Sequence, residues 1–192
     1  YNKLYRSGLL KKQKVRFMEM LPHEDLVFNL RAFSFAERIG FIPDSSPYHY
    51  LCRDGMSAAG SFSPDHLLAC QLTEDAFRQF FKIHDWNSCD MEFYLRSKRI
   101  TDYSAYAAGL YKKNCPLTRR ERIECLEKEF KQNSLLKRDL ILSRPAGFQQ
   151  RMFYFFLFKT TRGITDSYYR ILFYMRYHFD GVYRMFRRLI SK

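Results

Sequence analysis

RFMEMLPHEDLVF, residues 16–28, is the stretch on which the fold of the first part of this chain turns. An irregular run containing Pro22 passes into apolar residues, with the adjacent carboxylates Glu24 and Asp25 at the changeover. Pro22 suits the first turn of a helix, where a missing N–H costs nothing. Leu26, Val27, Leu30, Phe33 and Ala36 recur at helical spacing and predict a core-facing stripe. A carboxylate in that first turn meets the positive end of the helix dipole, which favours its charged form. It can then take a proton from a hydroxyl held within hydrogen-bond reach. Acidic residues also stand at helix starts for stability alone, so the pair by itself is a weak sign of chemistry.

Upstream, YNKLYRSGLLKKQKVRF reads as a short strand, a small basic helix around Ser7–Lys12 and an extended stretch ending at Phe17. Downstream, Arg38–Ile42 and Tyr48–Leu51 read as strands separated by the Pro43–Pro47 turn, and Arg53–Phe62 as a small, Gly-rich loop. The zone 63–144 reads as helical. Ser63-Pro64-Asp65 starts a helix whose buried face is Leu67, Leu68, Cys70, Leu72, Ala76, Phe77, Phe80 and Phe81. Further helices are predicted over Asp90–Lys113 and Thr118–Lys137, the latter opened by a Thr118/Glu121 capping box.

The zone 145–192 is aromatic and basic. Ile171, Met175, Phe179, Val182, Phe186 and Leu189 or Ile190 form an apolar stripe, with Arg170, Arg176, Arg184, Arg187 and Arg188 around most of the remaining circumference. Such a helix can lie flat on an anionic membrane. The plainer alternative is that the stripe packs on the second zone and the arginines are simply exposed.

With 33 Lys+Arg against 20 Asp+Glu the formal charge is +13, which favours anionic partners. Mean hydropathy is −0.43, and the longest apolar run, Met152–Phe158, is too short to span a bilayer. Five cysteines without a C-x-x-C pair point to reduced thiols in a cytosolic protein rather than a disulfide or zinc framework. The histidines His23, His66, His84 and His178 show no paired metal-ligand spacing. A P-loop, G-x-G-x-x-G and G-x-S-x-G are all missing from the sequence.

The succession N-K-L-Y-R (Asn2–Arg6), V-R-F (Val15–Phe17), H-E-D-L-V-F-N (His23–Asn29) and Y-H-Y-L-x-R (Tyr48–Arg53) resembles the C-terminal half of the catalytic domain of family 2, GT-A type glycosyltransferases of bacterial surface polysaccharide synthesis. The resemblance covers residues 1–62, a third of the chain. It implies an inverting transfer of a sugar from a nucleotide-sugar donor to a lipid-linked or saccharide acceptor. Asp25 would be the base and Glu24 its neighbour, with Arg53, Ser57 and His49 as substrate-binding residues. It further implies a divalent metal, Mg or Mn, in the intact enzyme. No two aspartates are separated by one residue, so the D-x-D metal motif is not in this sequence, and neither is the nucleotide-binding half.

The expected architecture is therefore α+β and predominantly α-helical. An incomplete GT-A domain (1–62) precedes a helical extension (63–144) and a basic amphipathic segment (145–192). The chain reads as a fragment, inactive and metal-free by itself, of an enzyme at the cytoplasmic inner face of the plasma membrane. A basic helical nucleic-acid-binding or scaffold module is the alternative. The dispersal of the basic residues over all three zones argues against nucleic acid.

Overall fold

A computed structural model describes residues 3–19, 22–40, 61–143, 151–152, 154–179 and 181. Of these, 71% are helical and none is in a strand. Two compact units divide the chain, residues 1–95 and 96–192, and the boundary falls inside the zone that the sequence reads as one helical extension.

In the first unit, α1 (Ser7–Lys12) forms where the sequence places a short basic helix. Residues 3–6 and 15–18 flank it without strand pairing among the described residues, as do Arg38–Gly40. The strand-like segments before Phe17 thus have no ladder to join. They cover α2 (Glu24–Ser34) with side chains instead. Val15, Phe28 and Ala32 are buried together, with Tyr5 and Leu10 against them. The Phe17 and Phe28 rings stack at 4.1 Å. Tyr48–Leu51 and residues 53–60 of the predicted Arg53–Phe62 loop lie outside the described residues.

The opposite side of α2 packs on α3 (His66–Ile83). Leu30, Phe77 and Phe81 meet Leu95 of α4 (Ser88–Gly109), bordered by Leu26, Ala76, Phe80 and Met91. Burying such side chains contributes about 1.5–3 kcal/mol each. The predicted faces need two corrections. α2 buries Phe28 and Ala32 as well as Val27 and Leu30, because it is covered on two sides. On α3, Leu68 is exposed while Ala69 and Thr73 are buried; the Thr73 hydroxyl is satisfied by donating to the Ala69 carbonyl (2.7 Å).

In the second unit, α5 (Arg119–Leu126) opens with the capping box as expected. The Thr118 Oγ1 accepts from the Glu121 N–H, and the Glu121 carboxylate accepts from the Thr118 N–H (2.6 Å). Hydrogen bonding to Thr118 holds the Glu121 carboxyl below the usual range, so the box's contribution to α5 is fully present above that range and is lost as pH falls below it through the lowered pKa. The helix does not run on to Lys137. A π-helical turn (Glu127–Lys131) intervenes, and the Asn133 side chain then caps α6 (Ser134–Leu142) by accepting from the Leu136 N–H (2.9 Å). The π-turn delivers Phe130 into full burial, edge-on to Tyr103 and stacked on Tyr106. A second π-turn (Phe155–Lys159) precedes α7 (Arg162–His178).

On α7 the buried residues are Thr165, Asp166, Tyr169 and Phe173. Ile171 and Phe179, members of the predicted apolar stripe, are 61% and 54% exposed. Met175 is half-buried, and Val182, Phe186, Leu189 and Ile190 lie outside the described residues; the core takes the Thr-Asp-Tyr-Phe side of α7. Two buried carboxylates tie the unit together. Asp166 accepts from the Tyr111 hydroxyl (3.0 Å) and from Arg119 Nε (2.9 Å). Asp139, 1% exposed, accepts from Arg99 Nε at 2.7 Å, while Arg96 and Arg138 stand farther off at 4.0 and 3.9 Å.

Removing one partner of a buried pair leaves an uncompensated charge, which costs about 3–5 kcal/mol. Arg99→Met should fall at the low end, about 3 kcal/mol, because two more guanidinium groups are near. Urea unfolding should show this loss, and Arg99→Met with Asp139→Leu should recover most of it.

Candidate functional site

α2 is entered through an unusual residue. His23 occupies the helix N-cap with φ 72°, a left-handed conformation that costs a non-glycine residue about 1 kcal/mol or more. Its side chain makes no capping bond. The cap is supplied from within the first turn: Asp25 Oδ1 accepts from the Leu26 N–H (2.8 Å), which also points at the His23 carbonyl (3.0 Å). Glu24 and Asp25 thus stand in the first turn, as the sequence indicates. Asp25 is exposed and Glu24 half-buried. Across α2, the Tyr5 hydroxyl donates to Asn29 Oδ1, and burial followed by the Asp25 charge raises the Tyr5 pKa. His49, Arg53 and Ser57, the other residues implicated by the resemblance, lie outside the described residues.

Close to the carboxylates, His23 meets two side chains of α3. One ligand atom each of His23, His66 and Cys70 lies within 4.8 Å of the others. Sequence reading missed this group because it compared histidines only with each other. The i, i+4 spacing of His66 and Cys70 was visible, whereas the approach of His23 is a tertiary fact. The hard-ion site implied by the resemblance is a different matter. A Mg or Mn site needs clustered oxygen donors, and no other group of three or more His, Cys, Asp or Glu converges among the described residues. The described residues do not fit that ion.

The second unit holds a basic, aromatic cleft of about 310 Å³. Lys112, Lys113, Arg122 and Arg170 supply its charge, and Tyr111, Phe173, Tyr174 and Tyr177 its apolar walls. The Arg122 guanidinium lies over the Tyr111 ring (5.4 Å) and donates through Nη1 to the Leu117 carbonyl (2.8 Å). Its Nε is buried without a hydrogen-bond partner. Lys113 sits over Tyr177 at 4.6 Å. Burial and then the charge of Arg176 lower the Lys112 pKa. Tyr111 is anchored by Asp166, and burial together with that carboxylate pushes its pKa up. The cleft lining contains no Asp or Glu. Crowded cations, an unsatisfied buried donor and aromatic faces suit a phosphorylated ligand.

Against known proteins, no family model, no curated protein and no solved structure matches this chain.

Inorganic pyrophosphate should bind the 192-residue chain. Arg122→Gln should weaken it about 10–100-fold, the worth of a charge-assisted hydrogen bond. Calorimetric titration reads the change. Affinity should also fall as pH rises through the Lys112 pKa, because the lysine then loses the charge that the anion requires.

Proposed function

We propose that this chain supplies the acceptor-side part of an inverting, family 2 type glycosyltransferase, with Asp25 as the base. The observation that carries the reading is the placement of Asp25: exposed, in the first turn of an apolar helix, with one carboxylate oxygen held by the Leu26 N–H. So held, the second oxygen can take the proton of an acceptor hydroxyl as that oxygen attacks the anomeric carbon. The sugar is then transferred with inversion, and the nucleoside diphosphate leaves from the opposite face. Glu24 adds negative charge beside the base.

The basic cleft of the second unit supports substrates bearing phosphate, either the nucleotide-sugar donor or a lipid diphosphate acceptor. On the first unit Leu68, Trp86 and Phe93 are more than half exposed.

No helix among the described residues is long and apolar enough to cross a membrane. The outward position of Ile164, Ile171 and Phe179 on and just beyond α7 supports peripheral attachment at the inner face of the plasma membrane. The same segment carries Tyr169 and Phe173 in the unit's core, so its deletion would test folding rather than attachment.

In the full-length transferase, Asp25→Asn should lower kcat about 10²–10⁴-fold with the circular dichroism spectrum unchanged. Undiminished turnover would rule out the role. The 192 residues alone should show no transfer from a nucleotide-sugar. Ile171→Glu combined with Phe179→Glu should reduce co-sedimentation with vesicles containing phosphatidylglycerol, without loss of helicity; equal co-sedimentation would exclude this face as the anchor.

A further inference from the structure

The group formed by His23, His66 and Cys70 has the chemistry of a transition-metal site. α3 presents His66 and Cys70 one turn apart on the same face, at i and i+4. His23 comes to them from the N-cap of α2, and its ring meets that of His66 edge-on, centroids 5.8 Å apart. Cys70 is buried and not in a disulfide. Two further observations single out His23. Its Nε2 is buried and has no hydrogen-bond partner, and its backbone is held at φ 72°. A buried imidazole nitrogen without a partner has lost its hydration for no visible return.

Around a tetrahedral ion with bonds of about 2.0–2.3 Å, donor atoms stand roughly 3.3–3.7 Å apart. The present separations, all within 4.8 Å, stand at most about 1.5 Å beyond that spacing. Two neutral imidazoles and a thiolate select a borderline-soft ion rather than magnesium or manganese. The ion and one thiolate leave a single net positive charge. Glu24 and Asp25, which follow His23 directly, offset it.

We propose that His23, His66 and Cys70 bind one zinc-class divalent ion, pinning the entry of α2 to the start of α3. Binding replaces the Cys70 S–H bond with a sulfur–metal bond and releases the proton to solvent. Three described donors leave one tetrahedral position for water or another oxygen ligand. The site stands independently of the transferase reading, because it rests on neither Asp25 nor a donor substrate. Its consequence for that region is mechanical: the ion fixes the residue immediately before the two carboxylates.

The test is titration of the 192-residue chain with cobalt(II) under reducing conditions. One equivalent should produce a thiolate-to-cobalt charge-transfer band in the near ultraviolet and intense visible bands of a four-coordinate ion, both displaced by zinc. Cys70→Ala should abolish the charge-transfer band, and Cys89→Ala, at an exposed position, should leave it intact. His23→Gln and His66→Gln should each lower affinity at least about tenfold, with circular dichroism confirming that each variant is folded. Absence of the band at stoichiometric cobalt overturns the proposal, as does a band that survives Cys70→Ala. If Cys70→Ala does not fold, unchanged affinity in His66→Gln overturns it equally.

Discussion

Leu30 of α2, seated among Phe77 and Phe81 of α3 and Leu95 of α4, is the contact on which the arrangement of the first unit depends. It fixes the axis of α2 against α3. The same docking brings the residue before Glu24 within reach of His66 and Cys70. Aromatic packing of Tyr5 and Phe17 on Phe28 holds the helix from its other side. A helix gripped on both faces cannot roll, so the carboxylates at its start keep their direction. That constancy suits the role proposed for Asp25, since general-base catalysis depends on a proton acceptor already standing in place.

The second unit uses charge differently. With a formal charge of +13, the protein has cations to spare, and it commits some of them to buried carboxylates. Arg99 is paired with Asp139, and Arg119 with Asp166, which also accepts from Tyr111. Asp166 thereby orients Tyr111, whose ring supports Arg122 in the basic cleft. A structural ion pair and the basic cleft are thus successive layers of one network. Burial makes each link costly to break, because an unpaired charge in the interior has no water to turn to.

Much of this was legible in the sequence, and particular residues show why the rest was not. α1 and the Thr118/Glu121 capping box depend on neighbours within a few positions, and both appear where local chemistry puts them. So does the start of α2 at Glu24, though Pro22 precedes the helix rather than occupying its first turn. The π-turn at Glu127–Lys131 was not legible, because Phe130 leaves α-helical register to reach Tyr103 and Tyr106. On α7 the apolar count pointed to Ile171 and Phe179, whereas the unit buries Thr165 and Asp166. Partners 55 and 47 residues away make that aspartate tolerable. Of the candidate site, Glu24 and Asp25 were visible as a local motif. His23 as a third member with His66 and Cys70 was not, since its approach to them from α2 is a tertiary contact.

The central claim is that Asp25 serves sugar transfer, and it requires a nucleotide-binding half joined to these residues. Sequencing of the coding region upstream of Tyr1 tests this most directly. The account predicts an in-frame alternation of strands and helices ending in D-x-D. An in-frame stop codon there, or an upstream segment without that pattern, would contradict it.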